Sequence, residues 1–263
     1  MVFVLARVVS ALCLIALAVV AVFDAQASRF TNGQLPAVFA DHLDGRLAGD
    51  YVDVLGVAHN AGDDVPAATR AIAYGADAIE IDVRAVDRKL YATHDAPVPL
   101  LEDLVFHGPS LRDAWVVARL NDAVLLHLKE GSERYVDELR SFLRSRLLQR
   151  TIVQTKSPAT LRTLRGTMPS VQRLLLIFTR EELAAVRSDP RILRVVDGVS
   201  VRETLLSAST QAWLEQRQLL TFAWVVNDQA RMNELVARGI DGLITDRLDI
   251  LQLLGKGTQG VRQ

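Results

Sequence analysis

The sequence has little cysteine, few aromatic residues and no excess of charge of either sign. Cys13 is the single cysteine in 263 residues, which excludes an intramolecular disulfide and a zinc site built on cysteines. The 30 Lys and Arg balance 31 Asp and Glu, and this excludes a strongly basic nucleic-acid-binding protein. Because half of the residues are hydrophobic, the chain is neither disordered nor collagen-like. Packing alone must stabilise it.

The N-terminal region has the layout of an export signal. An apolar run over residues 8–23, broken by Ser10, follows Arg7 and leads to Ala25-Gln26-Ala27. We expect either a signal peptide over residues 1–27, cleaved after Ala27, or an uncleaved membrane anchor through residues 2–23.

Both alternatives place the rest of the chain outside the cytoplasm. The protein is then secreted, located in the periplasm or cell envelope, or anchored to the membrane facing outside, with possible membrane association through residues 2–23. Residues 28–50 show little periodicity and are interpreted as a linker or an N-terminal cover for the domain that follows.

Residues 51–263 alternate between short aliphatic or β-branched runs and longer segments with apolar residues at helical spacing. We predict eight strands, at residues 54–58, 78–83, 123–128, 151–155, 173–178, 198–201, 220–225 and 242–244. Helices are predicted at residues 66–74, 110–118, 133–147, 158–165, 180–187, 209–216, 229–238 and 248–254. Ser157, Ser209 and Asp228 are candidate helix N-caps.

Strands that are apolar throughout and followed by helices are typical of a parallel sheet with a covered outer face. Eight such units predict an α/β fold, a single-domain (β/α)₈ TIM barrel, with an open doubly wound sheet as the alternative. No Gly-x-Gly-x-x-Gly motif follows a strand, so the sequence gives no reason to place a dinucleotide.

Polar side chains cluster where the first three predicted strands end, the face on which such barrels carry their chemistry. His59 and Asn60 follow the first strand, and His94 follows a short extended piece at residues 90–93. Because side chains alternate along a strand, Glu80 and Asp82 share one face of the second strand. His127 and Lys129 share a face of the third in the same way.

This combination of residue types suits phosphodiester cleavage. Two adjacent carboxylates, Glu80 and Asp82, repel each other unless a cation neutralises them, and a divalent metal is the simplest solution. His59 and His94 can supply a proton acceptor and a proton donor near neutral pH. Lys129 offers a fixed positive charge to an anionic group.

Six sequence blocks, in order, resemble those of the glycerophosphodiester phosphodiesterase family, a group of phospholipase C-like phosphodiesterase barrels. The blocks are His-Asn-Ala-Gly at 59–62, Pro-Ala-Ala-Thr at 66–69, Gly-Ala-Asp-Ala-Ile-Glu-Ile-Asp-Val at 75–83, His-Asp at 94–95, Ala-Trp-Val-Val-Asn-Asp at 223–228 and Gly-Ile-Asp-Gly-Leu-Ile-Thr-Asp at 239–246. The similarity spans nearly the whole chain after the N-terminal segment.

The resemblance implies a (β/α)₈ barrel that hydrolyses glycerol-linked phosphodiesters with the help of a divalent cation, Mg²⁺ or Ca²⁺. It implies roles for individual residues: Glu80 and Asp82 as metal ligands, His59 and His94 as the acid/base pair, Lys129 as a phosphate contact and Trp224 as part of the substrate pocket.

Three positions depart from the family pattern and mark a divergent member. Asn60 replaces an Arg, Ala67 replaces a Glu, and His127 replaces the acid two residues before Lys129. Asn60 can still bind phosphate through a hydrogen bond or complete a metal shell. If His127 ligates the metal, the imidazole favours Mn²⁺ or Zn²⁺ over Mg²⁺ and Ca²⁺; alternatively His127 is not a ligand.

Three functions follow from these residues as alternatives. The first is metal-dependent hydrolysis of a glycerophosphodiester or a lipid headgroup, with no nucleic acid as partner. The second is a reaction like that of sphingomyelinase D or lysophospholipase D, in which an internal hydroxyl can form a cyclic phosphate. The third is a catalytically silent barrel that binds envelope lipid or polymer, prompted by the three substitutions.

Overall fold

The computed structural model describes residues 54–95, 108–144, 146 and 150–259. All of them belong to one compact unit spanning Val38–Gln263. The N-terminal segments at 1–27 and 28–50 lie outside the described residues, so the signal, anchor and linker assignments stay predictions. Within the described ranges, no helix combines the length and the apolar character needed to cross a bilayer.

Eight parallel strands close into a barrel, and a ninth strand lies outside it. In chain order the strands are β1 Leu55–Ala58, β2 Ala78–Val86, β3 Lys89–Ala92, β4 Ala123–Leu128, β5 Thr151–Thr155, β6 Gln172–Ile177, β7 Gly198–Arg202, β8 Leu220–Trp224 and β9 Gly242–Thr245. β1 pairs in parallel with both β2 and β9, which closes the sheet into a ring. β3 lies outside that ring, antiparallel to the extended end of β2. The predicted (β/α)₈ barrel is confirmed.

Helices follow the strands and cover the outer face of the sheet. They are α1 Val65–Ala73, α2 Leu111–Ala118, α3 Glu133–Leu143, α4 Pro158–Thr167, α5 Arg180–Ser188, α6 Pro190–Leu193, α7 Ala208–Glu215, α8 Gln229–Ala237 and α9 Leu248–Gln259. The short helix α6 and the 3₁₀ turns at Ala61–Asp63 and Glu203–Leu205 have no counterpart among the sequence-based predictions.

Side chains alternate between two apolar layers, one inside the barrel and one between strands and helices. On β2, Ile79 and Ile81 face the outer layer with the helices. The inner layer is a separate cluster that includes Val57, Leu125 and Phe222. Because both faces of the parallel strands are buried, a polar residue on an inward position of β2 or β4 is enclosed by the barrel wall.

Local sequence signals explain where several helices begin. The Asp64 side chain accepts a hydrogen bond from the backbone N of Ala67 at the start of α1. Ser157 caps α4, with a proline at the first helical position, and Asp228 caps α8. The prediction that Ser209 caps a helix is wrong, because α7 begins at Ala208 and its N-cap is Ser207, two residues before Ser209.

Candidate active site

Two buried carboxylates lie on β2, in the part of the strand that pairs in parallel with β4. Glu80 and Asp82 are 1% and 0% exposed. In the parallel register Asp82 is opposite His127 on β4, and His127 is opposite Gln154 on β5. The strict alternation of β2 therefore brings both acids to the inner face of the barrel, as the sequence predicts.

Asp82 lies between two basic side chains of β4 and the loop that follows it. Its Oδ1 is 2.9 Å from His127 Nδ1, and its Oδ2 is 2.9 Å from Lys129 Nζ. Burial would by itself raise the pKa of Asp82, but hydrogen bonding and positive charge from His127 and Lys129 bring it below its ordinary value. Burial lowers the pKa of His127, and the two carboxylates outweigh this effect and raise it.

Glu80 is contacted by polar groups from β5 and from the loop after β1. Gln154 Nε2 donates to Glu80 Oε1 at 2.6 Å, and the backbone N of Asn60 donates to Oε2 at 3.4 Å. The Nε2 atom of His59 lies 3.8 Å from the same Oε2. Asn60 adopts a left-handed conformation, with φ of 51°, at the start of the Ala61–Asp63 turn.

His59 is oriented by a carboxylate from the opposite end of the chain. Its Nδ1 lies 2.6 Å from Asp246 Oδ1, and Asn227 Nδ2 donates to Asp246 Oδ2 at 2.7 Å. Burial raises the pKa of Asp246, but the hydrogen bond from Asn227 and the contact with His59 bring it below its ordinary value. An ionised Asp246 accepts from Nδ1–H and so leaves the lone pair of His59 Nε2 facing Glu80.

Asp63 is a site residue that the sequence analysis missed. Its Oδ1 accepts a hydrogen bond from the backbone N of Asp82 at 2.8 Å. Burial and the nearby charges of Asp82 and Glu80 raise the pKa of Asp63 to about 8. The acidic pair Asp63-Asp64 in the first loop was the available signal. Asp64 caps α1, which leaves Asp63 free to turn inward.

His94 lies close to the cluster in the backbone, and its side chain faces solvent. The backbone N of the preceding residue, Thr93, donates to the carbonyl oxygen of Asp82 at 2.8 Å. The His94 ring is 62% exposed, and its Nδ1 lies 2.9 Å from Asp95 Oδ1. Within the described ranges, no hydrogen bond or ion pair joins the ring to His59, Glu80 or Asp82, so its catalytic role stays a prediction.

An open cleft of about 350 Å³ extends from the cluster along β4, β5 and β6. Its walls include His127, Lys129, Lys156 and Phe178. Trp224, predicted to line a substrate pocket, contacts Phe178 edge to face with ring centroids 4.3 Å apart. The cleft is therefore bounded on one side by the two residues that contact Asp82 and on the other by Phe178, whereas Trp224 reaches it only through its contact with Phe178.

With this geometry established, comparison with known proteins gives the family. The family model described as "Glycerophosphoryl diester phosphodiesterase family" matches residues 119–250, about half of the chain. The chain belongs to this family. We accordingly assign the enzyme to the phosphoric diester hydrolases. The matched residues include His127 and Lys129 and begin after Glu80 and Asp82.

Solved structures of low sequence identity share the fold. A phosphodiesterase from Oleispira antarctica, solved with the product sn-glycerol-3-phosphate, has a TM-score of 0.65 at 15% identity, covering 78% of this chain and 97% of its own. Glycerophosphodiester phosphodiesterases from Thermotoga maritima (0.60, 17%, 78% and 99%) and Parabacteroides distasonis (0.62, 20%, 79% and 100%) match similarly. No curated protein matches the sequence.

The buried cluster fits a divalent cation. Glu80, Asp82 and His127 each offer one ligand atom, and these atoms lie within 4.8 Å of one another. Asn60 Oδ1 is also buried, and no described residue donates a hydrogen bond to it. Two carboxylates and an imidazole, together with the buried amide oxygen of a residue whose backbone N contacts Glu80, form a donor set that a bound cation would neutralise and satisfy.

Proposed function

We propose that the enzyme hydrolyses glycerophosphodiesters with a divalent cation, and that His59 and His94 move the protons. The observation that carries this proposal is the contact between His59 and the Asp246 carboxylate, which directs Nε2 of the imidazole toward Glu80 in the buried cluster. A carboxylate on one ring nitrogen that leaves the other nitrogen to take a proton is the arrangement of a general-base histidine.

Each residue of the cluster then has a defined task. Glu80, Asp82 and His127 would hold the cation, which when bound supplies positive charge to the phosphoryl oxygens. His59 Nε2 accepts a proton from the attacking group, while the Asp246 carboxylate fixes the tautomer and stabilises the imidazolium that forms. Lys129 contributes a further positive charge near the phosphate.

His94 is proposed to be the second proton-transfer residue, for the leaving oxygen. Its backbone is tied to β2 through the hydrogen bond between Thr93 and Asp82, which places the residue next to the cluster. The exposed ring is free to turn toward a bound substrate, because its contact within the described ranges is with the adjacent Asp95. Hydrogen bonds of catalytic groups commonly form only once the substrate is bound.

A metal-screened substrate assay tests the proposal. The full chain is incubated with glycerophosphocholine, glycerophosphoethanolamine and glycerophosphoglycerol, each with Mg²⁺, Ca²⁺, Mn²⁺ or Zn²⁺, and the phosphorus products are identified by NMR. We expect glycerol phosphate with at least one metal, and a loss of at least about 100-fold in kcat/KM for Asp82→Asn. The matched control Asp137→Asn, at an exposed position on α3, should retain full activity.

The same assay separates the competing functions. A cyclic phosphate in place of glycerol phosphate would indicate transfer to an internal hydroxyl, as in sphingomyelinase D. The replacement of an Arg by Asn60 favours testing this outcome. If no substrate yields product with any metal, the hydrolase proposal is wrong and a lipid-binding or polymer-binding barrel is favoured.

We propose further that the protein is exported. This rests on the apolar run at residues 8–23 and the Ala25-Gln26-Ala27 sequence. N-terminal sequencing of protein recovered from the extracytoplasmic fraction should begin at Ser28 if the segment is cleaved. Recovery of the full chain from membranes would indicate the anchor, and recovery from the cytoplasm would contradict export.

A further inference from the structure

The cleft next to the metal cluster contains a lysine, Lys156, whose position the proposed mechanism does not use. Lys156 follows β5 directly, and its Nζ lies 3.5 Å from the ring centroid of Phe178. Lysine is rare in this chain, at positions 89, 129, 156 and 256, yet Lys129 and Lys156 line the same cleft.

Strand alternation places Lys156 and the aromatic pair on the inner side of the barrel mouth. On β5, Ile152 belongs to the inner apolar layer and Gln154 contacts Glu80, so Lys156 continues the same face. Trp224 packs against the inner layer at the end of β8, and its Nε1 donates to the carbonyl oxygen of Ser200. The mouth of the barrel above the carboxylates is therefore lined by an ammonium and two aromatic rings.

The position of Lys156 changes what those rings can bind. The face of an aromatic ring attracts cations, and sites for quaternary ammonium ligands are built from such faces. Here the face of Phe178 is already occupied by the ammonium of Lys156. A cationic headgroup would lose that ring and would also be repelled by the lysine charge.

The lysine charge also lacks a carboxylate partner among the residues that the structure describes. Lys129 is paired with Asp82 at 2.9 Å, whereas the contact of Lys156 is with the Phe178 ring. Glu130, the acid in the cleft wall, accepts a hydrogen bond from the backbone N of Ala85 through Oε1. The charge of Lys156 is therefore available to a ligand.

We infer that Lys156 is a specificity-determining residue that selects a leaving alcohol carrying an anionic group and excludes one carrying a quaternary ammonium. This inference rests on the proposed function, because it assumes that the phosphate of the substrate binds at the cluster. An anionic group on the alcohol would then lie in the cleft beside Lys156, which can leave the Phe178 face to pair with it.

Ligand binding tests the inference without requiring turnover. Isothermal titration calorimetry in the presence of Mn²⁺ compares three probes that share a phosphate and differ in the second group: 3-phosphoglycerate, sn-glycerol 3-phosphate and phosphocholine. We expect the wild-type protein to bind 3-phosphoglycerate at least about tenfold more tightly than phosphocholine. In Lys156→Met this ratio should fall at least about fivefold, because the charge is lost and the Phe178 face becomes available.

Two further variants control for charge and folding. Lys156→Arg keeps a cation and should keep the preference, whereas Lys89→Met removes an exposed lysine outside the cleft and should leave the ratio unchanged. An unchanged ratio in Lys156→Met, or no binding of any probe to the wild type, would overturn the inference. Failure of the hydrolysis assay with the binding preference intact would instead count against the proposed function alone.

Discussion

His59 and Asp246 are 187 residues apart in the sequence and 2.6 Å apart in the structure. Neither residue by itself indicates catalysis, since a histidine at a strand end is commonly structural and Asp246 is half exposed. Their contact fixes which ring nitrogen faces the cluster, and this is the step that the sequence alone could not supply.

Replacing Asp246 with Asn should disturb the orientation of the His59 ring and leave substrate binding intact. We expect Asp246→Asn to lower kcat by about 10- to 100-fold with KM nearly unchanged, because the imidazole loses its negatively charged partner but the phosphate contacts remain. Steady-state kinetics with a glycerophosphodiester measure both constants. Asp249→Asn, at an exposed position paired with Arg247, is the matched control, and an equal loss there would indicate a general structural effect.

His127 sets the expected metal preference. Substitution with Glu supplies an oxygen ligand in place of the imidazole nitrogen, so we expect His127→Glu to shift the preferred cation from Mn²⁺ or Zn²⁺ toward Mg²⁺. The change in metal preference is measured by calorimetric titration with competing metals and by the ratio of the activities with Mn²⁺ and Mg²⁺. The same metal order in both proteins would show that His127 is not a ligand.

Tyr135 links the site to the stability of the enzyme at high pH. Its hydroxyl donates to the carbonyl oxygen of Val83 at 2.8 Å, and burial raises the pKa of Tyr135 well above its ordinary value. The folded protein keeps this proton while an unfolded chain loses it above about pH 10, so wild-type stability falls by up to about 1.4 kcal/mol per pH unit there.

The Tyr135→Phe variant should therefore show two effects of opposite sign. At neutral pH we expect it to be about 1 kcal/mol less stable, since the carbonyl of Val83 loses one of its two donors and keeps only the backbone N of Lys129. Above about pH 10 its stability should fall less steeply than that of the wild type. Urea unfolding at a series of pH values measures both, and parallel pH profiles would contradict the assignment.

At the scale of elements, the 3₁₀ turn after β1 is packed tightly against β2. A Cβ added at Gly62 would lie 2.3 Å from Ile81 Cγ1 and 2.8 Å from the carbonyl oxygen of Glu80. Because one of these contacts is backbone, the turn itself would have to move. Such a movement would pull Asp63 away from the backbone N of Asp82 and Asn60 away from Glu80.

We accordingly expect Gly62→Ala to lower both stability and activity. Overpacking of this kind costs about 1–3 kcal/mol in the free energy of unfolding. The displaced turn should also reduce kcat, measured with the same substrate assay. Gly166→Ala is the matched control, since nothing lies within 4 Å of its added Cβ on α4 and it should be neutral or stabilising. Equal stability of both variants would contradict the close approach.

The bounds of the strands and helices show which local signals were sufficient to predict them. The strands at Ala123–Leu128 and Thr151–Thr155 agree with the predictions because aliphatic and β-branched runs end abruptly at polar residues. The cap of α7 was assigned wrongly because the Ser207-Ala208-Ser209 sequence offers two serines of equal local quality. Tertiary packing, not the cap itself, decides which of the two is used.

At the scale of the whole molecule, the closed barrel joins into one unit the residues that we propose as ligands of the cation. Glu80 and Asp82 belong to β2 and His127 to β4, so a bound metal stabilises the pairing of two strands of the ring. A ligand that binds the folded state alone stabilises it by about 2.7 kcal/mol at a concentration 100 times its Kd.

Metal removal should therefore lower the thermal stability of the enzyme. For a domain of this size, about 2.7 kcal/mol corresponds to a change of roughly 5–10 °C in Tm. We expect this fall when EDTA is added to metal-loaded protein, and we expect Asp82→Asn to show little response to metal or chelator. Differential scanning calorimetry measures the change in Tm for both proteins. A wild-type Tm that no divalent cation changes would contradict the metal site.

The sequence by itself determined the fold class and the candidate ligands. Eight apolar strands followed by helices permit few arrangements, and the period of two along 78–83 already placed Glu80 and Asp82 on one face. Six local sequence blocks between residues 59 and 246 indicated the family, and the family model that matches residues 119–250 confirmed it.

The tertiary structure decided the contacts between distant segments. The pairing of His59 with Asp246, the inward turn of Asp63 and the ammonium of Lys156 over Phe178 join loops from different strands of the barrel. No local pattern specifies such contacts, because they depend on closure of the sheet between β1 and β9 and on the register of each strand with its neighbour.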